Sequence, residues 1–293
     1  MESFLTKREE WLDWLNKDHP HSISNQLVTL LVEDRTFQTI NEARKLVEDG
    51  HGGSAGFNNH VLDLLDRGFV TRQALGLRRL LESEAPKPHR QILSLRRLLD
   101  DLKANRHLLT REQFVTHGGY PYDHEAGLRA YHESLSAGDL PENSRRTAEQ
   151  LGIVWRSRIR HETFDALSET TISTRKPDDL PSESLFERID LLIEGAGVGS
   201  IGNVASKYFA HAADEFSLST LTDEDRSLTL SKLSLALQTL VQIVQFLCAT
   251  VLHGPSQSFL PTTIYDPIKN LDKPWVDPGN MATIRGFWKS IDD

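Results

Sequence analysis

Residues Leu233–Leu252 read LSLALQTLVQIVQFLCATVL, a stretch long and apolar enough to cross a bilayer. Gln238, Gln242 and Gln245 recur in it at spacings of four and three, which puts three amides on one helical stripe. A lipid-facing helix would have to find partners for all three. A helix buried in a bundle, with that stripe toward polar neighbours or a partner chain, accommodates them more easily. The stretch therefore predicts a core helix and no membrane association. It also predicts that Cys248, the single cysteine, is a small core residue.

The same helical period extends outward. Ile92, Leu95, Leu98, Leu99 and Leu102 make one apolar face within Gln91–Asn105, and Trp11, Trp14 and Leu15 recur among charges near the N-terminus. Helices are expected over Ser22–Glu48, Val61–Leu81, Ser144–Leu167, Ser182–Glu215 and Asp223–His253. Thr110 with Gln113 has capping-box spacing, and HGGYPYD at His117–Asp123 reads as a turn. Strand patterns are scarce and no repeat of fixed period stands out. The fold class is all-α: a helical bundle of roughly eight helices, followed by an irregular Pro-containing C-terminal tail that a short helix closes. Residues 1–140 form an N-terminal helical region, 141–253 the bundle core, and 254–293 a tail packing on the bundle, or all three share one domain.

The 293 residues carry a net charge of −9, with 26% charged and 38% hydrophobic residues, an ordinary globular balance. One cysteine excludes an internal disulfide framework and any multi-cysteine zinc module. The N-terminus MESFLTKREEWLDWLNKD lacks the apolar run of a signal peptide, so a cytoplasmic location is expected. Charge is segregated: Arg72–Arg111 nets +6 and Arg145–Arg160 nets +4, leaving −19 for the remainder. Such blocks form either a basic face for RNA or the partner of acidic helices such as Ser182–Glu215, and an acidic chain favours the second.

The sharpest chemical pattern is NVASKYFAHAAD, Asn203–Asp214. On a continuous helix Asn203, Lys207, His211 and Asp214 fall within about 80° of one another. A neutral imidazole beside an ammonium can act as general base while the cation steadies charge developing on a phosphate. The same stripe can instead serve as a polar seam between helices. Gly197, Gly199 and Gly202 spell GVGSIG, the spacing of a dinucleotide-binding turn. That fingerprint needs a strand before it and a βαβ unit around it, so helix packing or a helix break is the better expectation. The remaining histidines show no metal-ligand spacing, and no cofactor is expected.

NVASKYFAHAAD, together with LSLRRLLDDLKANRHLLTREQFVT at Leu93–Thr116, resembles the HEPN superfamily, specifically its abortive-infection AbiU-like members. The likeness covers Leu93–Asp214. It implies an all-α and commonly dimeric protein that binds RNA and in many members cleaves it without metal, in a defence or toxin setting. The resemblance casts His211 as catalytic histidine, Lys207 as the neighbouring cation, and Asn203 and Asp214 as polar support. The superfamily pattern also asks for an arginine separated from the histidine by four to six intervening residues. Val204, Ala205 and Ser206 stand there instead. Arg44–His51, Arg111–His117 and Arg156–His161 match that spacing, although 12 histidines and 22 arginines give about three such pairs by chance. Arg156 with His161 is the most interesting, because Ser157 adds the polar residue expected after the arginine. An ideal helix sets those two side chains about 140° apart. The alternative from another class is a catalytically silent helical dimer or interaction module, and a more distant one is a nucleotide-binding protein using Gly197, Gly199 and Gly202.

Overall fold

The computed structural model describes residues 3–46, 59–83, 91–136, 144–210, 228–255 and 278–291, with isolated positions between them. Eleven α-helices and no strand occur among these residues. They are α1 (Phe4–Asn16), α2 (Ile23–Leu46), α3 (Asn59–Leu80), α4 (Leu95–Ala104), α5 (Arg111–Thr116) and α6 (His124–Ser136). The chain continues through α7 (Ser144–Ser168), α8 (Glu183–Gly195), α9 (Val198–Val204), α10 (Leu230–Phe246) and α11 (Met281–Ser290). Two π-helical turns extend α9 over Ala205–Ala210 and α10 over Leu247–Val251.

Local chemistry explains the ends. Ser3, Ser94, Thr110, Ser182 and Thr229 stand extended at N-caps, and each side-chain oxygen accepts from a backbone N–H three residues on. Ser94 shortens the expected Gln91–Asn105 helix to α4. The expected Ser182–Glu215 helix is broken, because Gly197 takes φ 69° between α8 and α9. The GVGSIG stretch thus joins two helices, and α8 lies where the dinucleotide fingerprint requires a strand. Helix α6 falls in none of the ranges expected from the sequence, although Leu128, Tyr131 and Leu135 recur in it at helical spacing.

A continuous apolar core draws on helices from both sides of residue 140. It includes Trp11, Leu27, Leu77 and Leu98 together with Phe164, Ile189, Leu237 and Val244. Helix α3 packs on α2, α9 and α10. The segment Leu230–Val251 is the one described helix long and apolar enough to cross a membrane. It turns Leu233, Ala236, Leu237, Leu240, Ile243 and Val244 into the core while Gln238, Gln242 and Gln245 face outward. Cys248 is buried, with Asn16 Nδ2 3.2 Å from its sulfur.

The Arg72–Arg111 cations are largely met by acids of the same chain. Arg72 pairs with Glu33, and Arg78 with Glu82. Arg96 and Lys103 both reach Asp190 of α8, at 2.7 and 2.6 Å, and Arg106 reaches Glu183 at 3.0 Å. Burial alone would raise the Asp190 carboxyl, but hydrogen bonds from Lys103 and Arg96 hold it below the usual range.

Arg111 is the extreme case, with no side-chain exposure. Its guanidinium reaches Asp165 at 2.8 Å and Asp179 at 2.9 Å, and donates to Ser168, Thr170 and the His161 carbonyl. Replacing Arg111 by Met leaves the largely buried Asp179 without its cation, while Asp165 keeps Arg175, and should cost about 3 kcal/mol of stability. Arg106→Met, at a pair with an exposed acid, should cost less than about 1 kcal/mol. Urea unfolding midpoints of the two variants check this contrast.

Candidate functional site

The segment expected to carry chemistry begins on α9, whose Val198, Ile201 and Val204 are buried and whose axis packs along α3. Asn203 points away from that contact and is exposed. The helix then widens into the π turn Ala205–Ala210, which buries Ala205, leaves Lys207 half-exposed and exposes Tyr208. A π turn advances each residue by less than an α-helix does, so Lys207 departs from the α register with Asn203 on which the four-residue stripe was drawn. His211 and Asp214 lie outside the described residues, as does His51.

Arg156 and His161 are both on α7, and the structure does not bring them together. Arg156 is exposed and donates from Nη1 to the Tyr120 hydroxyl at 3.1 Å. His161 is buried against the Tyr122 ring, and its Nε2 donates to the Tyr122 carbonyl at 2.8 Å. That bond fixes the proton on Nε2 and leaves Nδ1 buried without a partner. Burial lowers the His161 pKa, with the Tyr122 bond opposing. Ser157 is also buried, donating to the Pro121 carbonyl at 2.5 Å, so it ties the HGGYPYD turn to α7. Arg44, the first member of another spaced pair, binds Asp66 at 2.8 Å.

Sequence spacing missed a cluster built from α1, α5, α7 and the end of the Leu247–Val251 turn. Arg160 donates to the carbonyls of Phe114, Val115 and His117, which closes the C-terminus of α5. Arg8 donates to the carbonyls of Leu252 and His253 at 2.6 and 2.8 Å and closes the other helix end. Guanidinium groups at helix C-termini meet both the unpaired carbonyls and the negative end of the dipole. Between these cations lie the rings of His117 and His253, 5.6 Å apart, with Phe114 4.3 Å from His253. Both Nε2 atoms are closed off from solvent and lack a partner. His253 itself has φ 45°, a left-handed conformation that turns the chain out of the helix. His117 and His253 stand 136 positions apart, and no local pattern links them. Among the described residues, no group of histidine, cysteine and carboxylate side chains could hold a metal ion.

Burial, aided by Arg8 and Arg160, pushes His117 down to about 4 and His253 down to about 3. An unfolded chain protonates the same rings near pH 6.5. Below that pH the unfolded state binds more protons than the folded one, so stability falls progressively from about pH 6.5 toward pH 4 and below. Thermal unfolding across this range should show Tm declining with acidification. A His117→Phe/His253→Asn variant should show a shallower decline.

Compared with family models, with curated proteins and with solved structures, the chain matches none.

Proposed function

We propose that this chain is a HEPN-like helical protein that binds RNA and cleaves it by metal-independent acid–base chemistry, with Asn203, Lys207, His211 and Asp214 as its working groups. The observation that carries the reading is local. Asn203 and Lys207 reach the surface where α9 gives way to a π turn, an irregularity concentrated at functional sites. In the proposed reaction His211 removes the proton of a ribose 2′-hydroxyl, and that oxygen attacks the adjacent phosphorus. The 5′-oxygen leaves and takes up a proton, giving a cyclic phosphate end. Lys207 steadies the charge on the phosphate oxygens. Arg156, exposed on α7, is a second cation available to the RNA backbone.

A second reading, a catalytically silent interaction module, is favoured by the intramolecular pairing of the Arg72–Arg111 cations with Glu33, Glu82, Glu183 and Asp190. One experiment separates the two. The purified chain and its His211→Ala and Lys207→Ala variants are incubated with structured RNA in chelator, and cleavage is read on a gel. The expected outcome is cleavage by the parent chain and a loss of about 100-fold or more in the His211→Ala variant. Equal, background-level cleavage by all three ends the nuclease reading in favour of the silent module.

A further inference from the structure

His117, at the C-terminal end of α5, and His253, just past the Leu247–Val251 turn, meet with their ring centres 5.6 Å apart. Helix α1 brings Phe4, 6.1 Å from the His117 ring, and Arg8, which donates to the carbonyls of Leu252 and His253. Helix α5 brings Phe114, 4.3 Å from the His253 ring, and α7 brings Arg160, which donates to the His117 carbonyl. The charges acting on the two rings are those of Arg8 and Arg160, with His117 itself acting on His253, and no carboxylate is among them. One step farther out, Glu9 and Cys248 act on Arg8, and Tyr120 and Arg156 act on Arg160.

This cluster suits neutral rings alone. Each Nε2 is closed off from solvent with no hydrogen-bond partner. A lone pair is tolerated there, whereas an imidazolium places an N–H at that atom, and the donor would face no acceptor. It would also stand beside two guanidinium groups of its own sign. The backbone of the same end is strained, because His253 is held at φ 45° although it carries a Cβ. The Leu252–Pro255 end is held down by Arg8 and by the Gly254 N–H, which donates to the Cys248 carbonyl at 2.7 Å. Gly254 lies directly over the single cysteine: a Cβ there would come within 2.9 Å of the Cys248 sulfur and 2.5 Å of Leu12 Cδ2.

We propose that the His117–His253 contact is an acid-released latch: protonation of the rings lifts the Leu252–Pro255 end off α1 and α5 and uncovers Cys248, while the bundle beneath stays folded. An imidazolium needs water, and moving this end supplies it without separating the core helices. Helix ends open at far lower free-energy cost than packed centres. The core keeps Leu27, Leu77 and Leu237 together independently of the latch. Closed, the rings are held down at about 4 and about 3, and released they return to 6.5. The open state therefore binds more protons, and opening gains as pH falls below 6.5. Between pH 7 and pH 5 the opening equilibrium should grow roughly 500-fold, with nearly two protons taken up per opening near pH 5. The latch stands apart from the RNA reading, since none of its residues belongs to the Asn203–Asp214 segment.

The single cysteine makes the opening measurable. Cys248 is 4% exposed, so a thiol reagent reaches it when the end lifts. The full chain is treated with dithiodipyridine, which reacts with thiols in acid, and the rate is divided by that of the urea-unfolded chain at the same pH. Urea titration at each pH gives the globally unfolded fraction. The normalised rate is expected to rise by that factor of roughly 500 from pH 7 to pH 5 and to exceed the unfolded fraction throughout. A His253→Asn variant, whose side chain tolerates the left-handed backbone, is expected to rise about half as steeply, with one proton per opening. A normalised rate equal to the unfolded fraction overturns the proposal, because the whole bundle then opens at once. A rate that does not rise with acid overturns it too, as does a His253→Asn variant as steep as the parent. The comparison on the parent chain needs no variant and decides alone if His253→Asn does not fold.

Discussion

The guanidinium of Arg111 is the constraint on which the surrounding architecture depends. It has no access to water, so all of its hydrogen-bonding capacity has to be met inside the protein. Asp165 at the end of α7 and Asp179 in the loop before α8 supply the charge, and the Ser168 and Thr170 hydroxyls supply further acceptors. Asp165 also binds Arg175 through both carboxylate oxygens. The backbone N–H groups of Arg111 and Glu112 donate to Asp179 and Pro177, so α5 starts against this loop. A six-residue helix has little stability of its own. The position of α5 therefore comes from this network and from Phe114 packed on Phe164, at 5.0 Å between ring centres. The planar fork of arginine suits the task, because lysine could not hold two carboxylates and two hydroxyls in one plane.

Once α5 is fixed, the turn after it and the helix end beside it follow. Arg160 and Arg8 place two further positive charges near the same region, both committed to backbone carbonyls. His117 and His253 sit between them and stay neutral, which avoids four cations in one place. Cationic side chains in this molecule thus act largely as internal fasteners. Of the Arg72–Arg111 block, Arg72, Arg78, Arg96, Lys103, Arg106 and Arg111 each meet an acid of the chain, and Lys87 and Arg90 lie outside the described residues. Arg96 and Lys103 on α4 converge on one carboxylate of α8, and the pairing aligns the two helices as much as it neutralises them.

The all-helical fold was legible because period-3.6 burial is a local signal. Leu95, Leu98, Leu99 and Leu102, read as one face, are all fully buried, and the Gln238–Gln242–Gln245 stripe is indeed the polar side of its helix. Where single residues override the period, the pattern misled: apolar positions run on through Ile201, yet Gly197 breaks the helix. Helix α6, HEAGLRAYHESLS, sets only Leu128, Tyr131 and Leu135 on one arc, a stripe of three residues that does not stand out in the sequence. Spacing also could not say which way a side chain turns. Arg156 and His161 share a helix, but one meets a tyrosine at the surface and the other a carbonyl beneath it. The His117–His253 contact depends on the tertiary meeting of two helix ends and left no trace in either neighbourhood. Of the proposed RNA site, Asn203 is exposed and Lys207 half-buried in a π turn that takes it off the register of the sequence pattern, while His211 and Asp214 lie outside the described residues.

The helix that presents Asn203 and Lys207 is poorly suited to stand alone. Gly199 and Gly202 fall within its seven residues, each costing about 1 kcal/mol relative to alanine. A left-handed glycine precedes it and a π turn follows, so neither end carries a side-chain N-cap or a regular last turn. Its stability has to come from packing, with Val198, Ile201, Val204 and Ala205 laid against α3 and Gly202 bringing its backbone near the Arg78 stem. α3 in turn holds its place by contact with α2, where Gly76 lets Leu30 approach closely. Weak local propensity on a rigid support lets a segment adopt the π geometry that a strong helix would resist, because departing from α costs such a sequence little. The surface groups on it are thereby set by α3 and the core beneath, and a substitution on α3 facing Val204 would move Lys207 without touching it.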